Sequence, residues 1–385
     1  MIKDIQIENF KSIQSLNLSL GRLNVFIGAN GSGKSNILEA IGMGCAAVED
    51  KLDDEFLSNR GIRVSPSIAM RSGFSSENAE KPISLTFNDS FYRQITFNLN
   101  NVNGYYSRWN LDKTFFEQFI GTLKTLEDGI HATVEGEKVQ LKGGDIDYFI
   151  QDMNRKTGAK NPGIVGFSDF MIYAPENKYL RTFADEGHIK PLGIRGEGLF
   201  KFLSVNLKDP QKKAEIVKIL ELFDWFEDFE IPNDLEFGEK RITVKDRFLQ
   251  DGLKSLDQTS VNEGFLYVLF YALLLIGDLP VPKFFAIDNI DNALNPKLCR
   301  KLIKMSAKLL KPQDKQIILT THNPAILDGL NLNDPEQRLF VVYRDLDGGT
   351  SVRRIFKKEP ENGTEPLPLS EQFLRGYLGG LPDNF

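Results

Sequence analysis

The sequence predicts an α/β protein whose core is a mixed sheet flanked by helices, with an inserted α+β lobe between the two halves of that core. In the last third of the chain, a strand over Phe284–Ile287 precedes a helix over Pro296–Leu310, and a strand over 316–320 follows. Strands that alternate with helices require a sheet covered on both faces. Near the N-terminus, the apolar run Leu23–Ile27 suits a buried strand, and helical spacing follows at 37–41. The two ends of the chain are therefore predicted to form one core.

The middle of the chain has a different pattern. Short segments that alternate apolar and polar residues, separated by polar turns, are typical of antiparallel strands. The predicted elements of this region are strands at 83–87, 94–99, 133–139 and 241–244, and helices at 115–126, 145–154 and 212–223. We therefore place the N-terminal part of the core at 1–50, the inserted lobe with its connecting segments at 51–250, and the C-terminal part of the core at 251–385.

The composition is that of an ordinary globular protein. The 385 residues are 41% hydrophobic and 26% charged, which excludes the disordered, collagen-like and coiled-coil classes. The net charge of −6 does not favour indiscriminate binding of polyanions, although a local basic face could still hold nucleic acid. The longest apolar run, 265–276, is too short to span a bilayer, and no signal peptide is evident. With only Cys45 and Cys299, both expected to be buried, we predict a cytoplasmic protein.

The strongest motif lies between the first buried strand and the helix that follows it. Residues 28–35, Gly-Ala-Asn-Gly-Ser-Gly-Lys-Ser, satisfy the pattern G-x-x-x-x-G-K-[ST] at every fixed position. The glycines let backbone N–H groups turn inward around phosphate oxygens. In such a loop Lys34 reaches the β- and γ-phosphates, and the Ser35 hydroxyl can ligate Mg²⁺. We call residues 28–35 the phosphate loop, and it predicts ATP and Mg²⁺ as ligands.

Further motifs narrow the class. The phosphate loop with Asn36, and the upstream stretch 7–12, resemble the RecF/SMC/OLD branch of ABC-type ATPases. In that family's order, residues 259–264 lie where its Ser-x-Gly signature is expected, and 284–288 resemble a Walker B strand. Residues 320–324 are similar to its switch-histidine segment, and 192–199 resemble a segment that these ATPases carry between lobes. The resemblance implies an ABC-type ATPase head, and short members of this branch resemble components of bacterial anti-phage systems.

The resemblance also implies a role for each matching residue. Asp288 would hold Mg²⁺ opposite Ser35, and His322 would contact the γ-phosphate or the attacking water. The signature of one copy would close over ATP bound to another copy. The implied ATP-binding residues are Lys11, Ser12, Asn30, Gly31, Ser32, Gly33, Lys34, Ser35 and Asn36. The implied signature residues, acting on the partner's ATP, are Ser260, Asn262, Glu263 and Gly264.

The sequence departs from the family pattern in two places. One is expected to affect ATP hydrolysis, and the other the closing of one copy's signature over the ATP of another copy. Asn289 occupies the position after Asp288 where the family usually has a glutamate, and an amide cannot accept the proton of the attacking water. Either turnover is slow and the ATP-bound state long-lived, or Asp291 is the working carboxylate. In the signature, Asn262 stands where serine is typical. The charge of Glu263 would lie near the partner's phosphates and weaken closure unless a cation offsets it.

One phosphate loop and one signature in the chain imply a homodimer, or a higher oligomer, that encloses two ATP molecules. No heptad region separates the motifs, and fewer than about 100 residues follow Asp288, so neither a coiled-coil tether nor a nuclease domain fits. We therefore expect a separate effector, a nuclease or toxin, and no membrane partner. The alternative is a RecF-like ATPase that acts directly on DNA in repair or genome maintenance.

Three further segments of the sequence each have two interpretations. The cluster Arg353, Arg354, Lys357 and Lys358 is either a solvated strand face or a DNA contact. The aromatic group Tyr105, Tyr106 and Trp109 either packs or stacks on bases. The apolar tail at 373–382 docks either on the core or on a partner.

Overall fold

The computed structural model describes residues 1–89, 94–104, 107–112, 169–183, 192–250, 255–277, 281–357 and 367–381, and the backbone of the strands at 130–134 and 137–141. The strands are β1 (Ile2–Phe10), β2 (Ile13–Ser19), β3 (Leu23–Ile27), β4 (Ile83–Asp89), β5 (Gln94–Asn100), β6 (Asn110–Leu111), β7 (Ile130–Val134), β8 (Glu137–Leu141), β9 (Ile172–Tyr173), β10 (Phe226–Glu230), β11 (Thr243–Asp246), β12 (Ser255–Asp257), β13 (Phe284–Ile287), β14 (Gln316–Thr321), β15 (Gln337–Arg344) and β16 (Thr350–Ile355). The helices are α1 (Lys34–Val48), α2 (Asp54–Ser58), α3 (Ser67–Met70), α4 (Asn177–Thr182), α5 (Leu199–Asn206), α6 (Pro210–Leu220), α7 (Glu263–Ile276), α8 (Pro296–Leu310) and α9 (Leu369–Leu374), with 3₁₀ helices at Ser76–Ala79 and Pro324–Gly329.

The central sheet has six strands in the order β16-β15-β3-β14-β13-β9. Strands β15, β3, β14, β13 and β9 are parallel, and β16 is antiparallel to β15. The strands β3, β13 and β14 are buried along their whole length, as their nearly continuous apolar sequences predicted. Because parallel strands end at the same edge of a sheet, the segments that follow β3, β13 and β14 meet there. The predicted α/β class is confirmed.

Both faces of this sheet are covered, and the alternation along β3 shows how. Val25 and Ile27 belong to one core cluster together with α7 and α8, whereas Phe26 points into a second cluster with α1. Helix α7 is apolar on all sides because every residue from Gly264 to Ile276 is buried. The layer beyond α1 is an antiparallel sheet in the order β2-β1-β4-β5-β6. Helix α1 is thus enclosed between two sheets.

The antiparallel sheet joins segments that are far apart in the sequence. Strand β1 pairs with β2 and, through Ile5 and Phe87, with β4. Strands from 1–50 and from 83–111 therefore share one sheet, and β9 adds to the central sheet beside β13. A three-stranded sheet, β10-β11-β12, and the ribbon β7-β8 complete the described strands. The boundaries 1–50, 51–250 and 251–385 remain a prediction.

Most predicted elements correspond to observed ones. The strands at β3 and β13 and the helix α8 have the predicted bounds. The single strand expected at 133–139 is instead two paired strands, β7 and β8, in which Val134 pairs with Glu137. The expected helix at 212–223 is α6, which begins earlier because Asp209 caps it and Pro210 occupies its first turn. The helices expected at 115–126 and 145–154 lie outside the described residues.

The tail and the cysteines are also placed. Phe373 and Leu378 are buried against the core, and Arg353 donates a hydrogen bond to the Leu378 carbonyl, so the tail up to residue 381 docks on the core. Cys45 and Cys299 are free and buried, and burial raises the pKa of both thiols. Among the described residues, no helix combines the length and apolarity needed to cross a membrane.

Candidate nucleotide site

The candidate site lies at the carboxyl edge of the central sheet. The phosphate loop follows β3, Asp288 follows β13, and His322 follows β14. Ile27 pairs with Thr321 and Ile287 with Leu319, so the three strands end close to one another. Ligands of open α/β sheets bind outside the carboxyl ends of the strands. The residues that the sequence singled out are therefore brought to one edge.

Two glycines of the phosphate loop are required by its backbone. Gly33 has φ +107°, and a side chain there would meet the Thr350 hydroxyl at 2.0 Å. Gly28 has no room for a side chain either, because a Cβ would lie 2.0 Å from the Val342 carbonyl oxygen. The β15-β16 hairpin, which carries Val342 and Thr350, thus supports the loop from its outer side. Helix α1 begins directly after Gly33, so its N-terminus is aimed at the loop.

The Lys34 ammonium lies over the phosphate loop. Its Nζ donates hydrogen bonds to the carbonyl oxygens of Gly28, at 2.9 Å, and Ala29, at 3.0 Å. Burial lowers the pKa of Lys34 to about 8, although the nearby carboxylates of Asp288 and Asp291 act in the opposite direction. A buried cation held only by neutral carbonyls would gain most from phosphate oxygens. Phosphate binding by Lys34 stays a prediction.

Ser35 and Asp288 form the oxygen pair expected for a cation. The Ser35 hydroxyl donates to Asp288 Oδ2 at 3.1 Å, and the Thr320 hydroxyl donates to Asp288 Oδ1. A hydroxyl and a carboxylate are ligands that Mg²⁺ accepts, and Mg²⁺ usually completes its shell with waters and substrate phosphates. Within the described residues, no group of three or more His, Cys, Asp or Glu side chains forms a separate metal cluster. The residues present therefore fit Mg²⁺ bound together with a nucleotide.

Thr320 is a positioning residue that the sequence did not single out for this role. It is fully buried at the end of β14, its hydroxyl binds Asp288, and the same oxygen accepts the Asn289 N–H at 2.9 Å. Its identity could not be read from a motif, because the pairing of β13 with β14 creates the contact. A threonine at the end of the strand that neighbours the Asp288-bearing strand would be the sequence signal for this role.

Thr320→Val is expected to lower the free energy of unfolding by about 1–3 kcal/mol, because the Asn289 N–H and the Asp288 carboxylate lose a buried partner. Urea titration of the unliganded protein measures this change, and Mg²⁺-dependent ATP turnover should fall as well. Thr320→Ser keeps the hydroxyl and is the matched control. Equal stability of Thr320→Val and wild type would show that Thr320 does not hold this edge.

The two candidates for activating water have different surroundings. Asn289 has a left-handed backbone, with φ +56°, a conformation that asparagine adopts more readily than most residues. Asp291 Oδ1 accepts a hydrogen bond from Thr321 Oγ1 at 2.6 Å. Both side chains are half-buried beside Asp288. Which of Asn289 and Asp291 activates the attacking water stays a prediction.

His322 is exposed at the end of β14. Loss of hydration and the charge of Lys34 lower its pKa, while Asp291, Asp288 and a hydrogen bond with the Gly28 backbone act to raise it. The imidazole is therefore within the electrostatic reach of Lys34 and both carboxylates. A largely neutral imidazole can accept a hydrogen bond from water or donate one to a phosphate.

The remaining predicted nucleotide residues lie on the other flank of the loop. Asn36 Nδ2 donates to Ser12 Oγ at 2.6 Å, and Ser12 Oγ lies 2.7 Å from the Thr350 hydroxyl.

Lys11 Nζ pairs with Glu39 Oε2 at 2.5 Å. The buried carboxylate of Glu39 also accepts from Arg63 Nε at 2.5 Å. Glu39 and Arg63 were missed because nothing in a single sequence links them to Lys11. Asn30, Gly31 and Ser32 form the crest of the loop, where Arg344 Nε donates to the Gly31 carbonyl at 2.9 Å.

The signature segment, residues 259–264, lies at the N-terminus of α7. Ser260 and Asn262 are exposed, and the Asn262 side chain caps the helix by accepting the Gly264 N–H at 2.8 Å. Gly264 is packed so closely against the loop after β13 that a Cβ would lie 2.7 Å from the Ala293 carbonyl oxygen. Glu263 is half-buried. Asn262 thus caps the helix, a role that the serine typical of this position could also fill.

The structure describes several other residues that the sequence analysis named. Glu197, in the segment 192–199, is buried and binds Arg195 Nε at 2.7 Å. Trp109 is 7% exposed and packs against Arg71, with the guanidinium 4.9 Å from the ring centroid, so it is a packing residue. Tyr105, Tyr106 and Lys358 lie outside the described residues. In the basic cluster, Arg354 stacks on Phe356 at 4.5 Å.

A mixed sheet with a phosphate loop, an aspartate that faces Ser35 from the end of β13 and an antiparallel outer sheet are features of a P-loop ATPase of the ABC type with an SMC-like head. Residues 23–328 match the family described as "AAA domain, putative AbiEii toxin, Type IV TA system". Since this match spans more than half of the chain, the protein belongs to that family. Proteins of this class bind ATP with Mg²⁺.

Three solved SMC heads are similar in fold. An SMC head bound to the C-winged helix domain of ScpA has TM-score 0.54 and 14% identity, covering 92% of this chain and 98% of that one. The head from Thermotoga maritima has TM-score 0.46 and 16% identity over 92% and 98%. A head with an extended coiled coil, bound to the C-terminal domain of ScpA derived from Pyrococcus furiosus, has 0.45 and 13% over 92% and 96%. At these identities the likeness concerns fold alone. No curated protein matches the chain.

Proposed function

We propose that this protein binds Mg·ATP at the phosphate loop, hydrolyses it slowly, and through ATP-dependent pairing of two copies regulates a separate effector in anti-phage defence. The observation that supports ATP binding best is the contact of Ser35 Oγ with Asp288 Oδ2 at 3.1 Å beside the Lys34 ammonium. These groups supply the hydroxyl, carboxylate and cation that a Mg²⁺-bound triphosphate needs.

Pairing is supported by the placement of the signature segment. Ser260 and Asn262 are exposed at the N-terminus of α7, where a helix end favours an anion. Each chain carries one phosphate loop and one signature segment, so two copies would complete two sites. ATP then binds the paired state better than the separate state, and hydrolysis releases the pair.

Glu263 offers a test of this pairing. Glu263 is the first residue of α7 and lies next to the exposed signature residues. In the pair its carboxylate would approach the phosphates of the partner's ATP, and these like charges would repel each other. Glu263→Gln is therefore expected to tighten the ATP-induced dimer by roughly tenfold, which corresponds to about 1.4 kcal/mol. Sedimentation velocity with and without Mg·ATP measures the dimer constant.

Glu221→Gln, at the exposed C-terminal end of helix α6, is the control for a simple change of net charge. Weaker or unchanged dimerisation of Glu263→Gln would place the signature segment away from the partner's ATP. A wild type that stays monomeric at saturating Mg·ATP would remove the pairing proposal while leaving ATP binding intact.

The effector is the least direct part of the proposal. The family description names an AAA domain, a putative toxin and a type IV TA system, which supports a role in a toxin–antitoxin system. The SMC head of similar fold was solved with a bound ScpA domain, which shows that a head of this fold can carry a protein partner. We therefore expect an effector to co-purify with the ATPase when both are expressed from their native locus. DNA-stimulated turnover by the purified chain alone would instead favour a RecF-like repair ATPase.

A further inference from the structure

The tail at 367–381 contacts two segments that border the nucleotide site. Its first part, helix α9, packs against the 3₁₀ helix Pro324–Gly329, which begins two residues after His322. Its last part reaches the phosphate loop, where the Ala29 N–H donates a hydrogen bond to the Gly380 carbonyl at 3.2 Å. The tail therefore links the segment that follows β14 to the loop that follows β3.

The anchor at α9 consists of two hydrogen bonds to one carboxylate. The Ser370 N–H donates to Asp328 Oδ1 at 3.0 Å, and the Ser370 hydroxyl donates to Asp328 Oδ2 at 2.6 Å. Asp328 belongs to the 3₁₀ helix that Asn323 caps, and Asn323 directly follows His322. Hydrogen bonds to an ionised acceptor are among the stronger ones in proteins. The first part of the tail is therefore firmly attached.

Two buried side chains fix the tail between its ends. Phe373 and Leu378 are both buried, and they belong to the core cluster that includes Val25 of β3. The Leu378 carbonyl also accepts a hydrogen bond from Arg353 on β16. Because burial of large apolar side chains is favourable, the tail docks without help from a nucleotide.

Gly380 fits its place only because it has no side chain. Its φ is +80°, and a Cβ at this position would overlap Val341 Cγ1 on β15. The next residue of that strand, Val342, supports the phosphate loop, since its carbonyl oxygen leaves no room for a Cβ on Gly28. The Gly380 carbonyl therefore reaches Ala29 from a position directly against β15.

The backbone of Ala29 is held from two sides. Its N–H donates to the tail, and its carbonyl accepts a hydrogen bond from the Lys34 ammonium at 3.0 Å. A loop that is already fixed in one conformation loses less entropy when it binds a ligand. The contact with Gly380 therefore favours phosphate binding by the loop.

We propose that the tail at 367–381 is a strap that holds the phosphate loop in the conformation that binds Mg·ATP, with Gly380 as its contact to the loop. This inference rests on the proposed ATP binding and does not depend on the pairing of two copies. Gly380 is a positioning residue, since it acts through Ala29. Because coupling between two sites is reciprocal, bound ATP should hold the tail more firmly by the factor with which the docked tail tightens ATP binding.

Gly380→Ala tests the strap at the loop. Its new Cβ would meet Val341, so the Gly380 carbonyl would be displaced from Ala29. We expect the dissociation constant of Mg·ATP, measured by isothermal titration calorimetry, to rise about threefold to tenfold, the range that one hydrogen bond covers. A chain that ends at Gly379 removes the same contact without a clash and should show the same loss.

Gly376→Ala is the matched control. Gly376 also has a positive φ, +76°, but nothing lies within 4 Å of a Cβ at this position. The substitution therefore introduces similar backbone strain into the tail without touching the loop or β15. ATP affinity should stay within twofold of wild type.

Limited proteolysis tests the reciprocal effect. Arg375 is exposed within the tail, and trypsin cleaves after it when the tail opens. Saturating Mg·ATP should slow this cleavage about threefold to tenfold in wild type, and by less than twofold in Gly380→Ala. A tail that serves only to cover the core would not respond to ATP through Gly380.

The inference is overturned, while ATP binding stands, if Gly380→Ala and the chain that ends at Gly379 bind Mg·ATP as tightly as wild type. Tighter binding by these variants would also overturn it, because the tail would then oppose the nucleotide. An equal loss in Gly376→Ala would assign the effect to backbone strain alone. A wild type that binds no Mg·ATP contradicts the proposed function itself.

Discussion

Lys34→Ala is expected to remove ATP binding without weakening the fold. Lys34 is 5% exposed and faces the phosphate loop, where its ammonium donates to the Gly28 and Ala29 carbonyls. Losing one member of a desolvated charge pair costs about 2–5 kcal/mol, which is roughly 30-fold to several-thousand-fold in Kd. Titration calorimetry with Mg·ATP measures this loss, and ATP-dependent dimerisation should disappear with it.

The stability of the unliganded protein, unlike its affinity for ATP, should not fall when Lys34 is replaced by alanine. Burial lowers the pKa of Lys34 from 10.5 to about 8, so the folded state holds this proton less tightly than the unfolded state. Below pH 8 the charged lysine therefore destabilises the folded state relative to the unfolded state. This cost disappears as the pH rises from 8 to 10.5. At pH 7 we expect Lys34→Ala to be at least as stable as wild type, because alanine removes the buried charge.

The combination of lost binding and retained stability is what identifies a ligand-binding lysine. Lys304→Ala, at an exposed position of α8, controls for the loss of one positive charge elsewhere. A Lys34→Ala protein that unfolds more readily would mean that Lys34 is structural, and its weaker binding would then have a trivial cause. ATP binding equal to that of wild type would remove the phosphate-loop assignment.

The central sheet was predictable because its information is local. Strands β3 and β13 are short continuous apolar runs bounded by polar residues, and a strand buried on both faces needs no partner-specific pattern. Helix α8 has an apolar stripe, an asparagine cap and a proline in its first turn. The phosphate loop is contiguous, so its motif contained Lys34 and Ser35 together.

Pairings between distant segments were not predictable in the same way. The alternation of β1 and β4 indicates that each has one buried face, but it does not indicate that Ile5 lies beside Phe87. Register depends on the whole sheet, and a shift by one residue would exchange the faces. For this reason the sequence, which predicts an inserted lobe over 51–250, did not indicate that β4 and β5 belong to the same sheet as β1.

The same limit applies to the site. Thr320 and Glu39 were not identified for these roles because each acts through residues that are distant in the sequence. Glu39 is 28 positions from Lys11, and Thr320 is 32 positions from Asp288. The left-handed backbone of Asn289 was equally hidden, although it bears directly on why an amide stands there.

Asn289→Glu is expected to raise the rate of ATP hydrolysis at least tenfold and to shorten the lifetime of the ATP-bound pair. A carboxylate that takes the proton of the attacking water contributes about 10²–10⁴ in rate. The gain should fall short of the upper value because φ is +56° at this position, and a left-handed backbone costs a residue other than glycine or asparagine about 1–2 kcal/mol. Single-turnover hydrolysis on the ATP-saturated protein measures the chemical step apart from product release.

Asn289→Gln is the matched control, since it has the length and the backbone strain of glutamate but carries no charge. An increase with glutamate and none with glutamine would assign the water-activating position to residue 289. Asp291→Asn completes the test, because its amide oxygen can still accept the Thr321 hydroxyl that Asp291 Oδ1 accepts at 2.6 Å. If Asn289→Glu leaves the rate unchanged and Asp291→Asn abolishes it, Asp291 is the working carboxylate. In that case the left-handed Asn289 serves only to turn the chain out of β13, and wild-type turnover need not be slow.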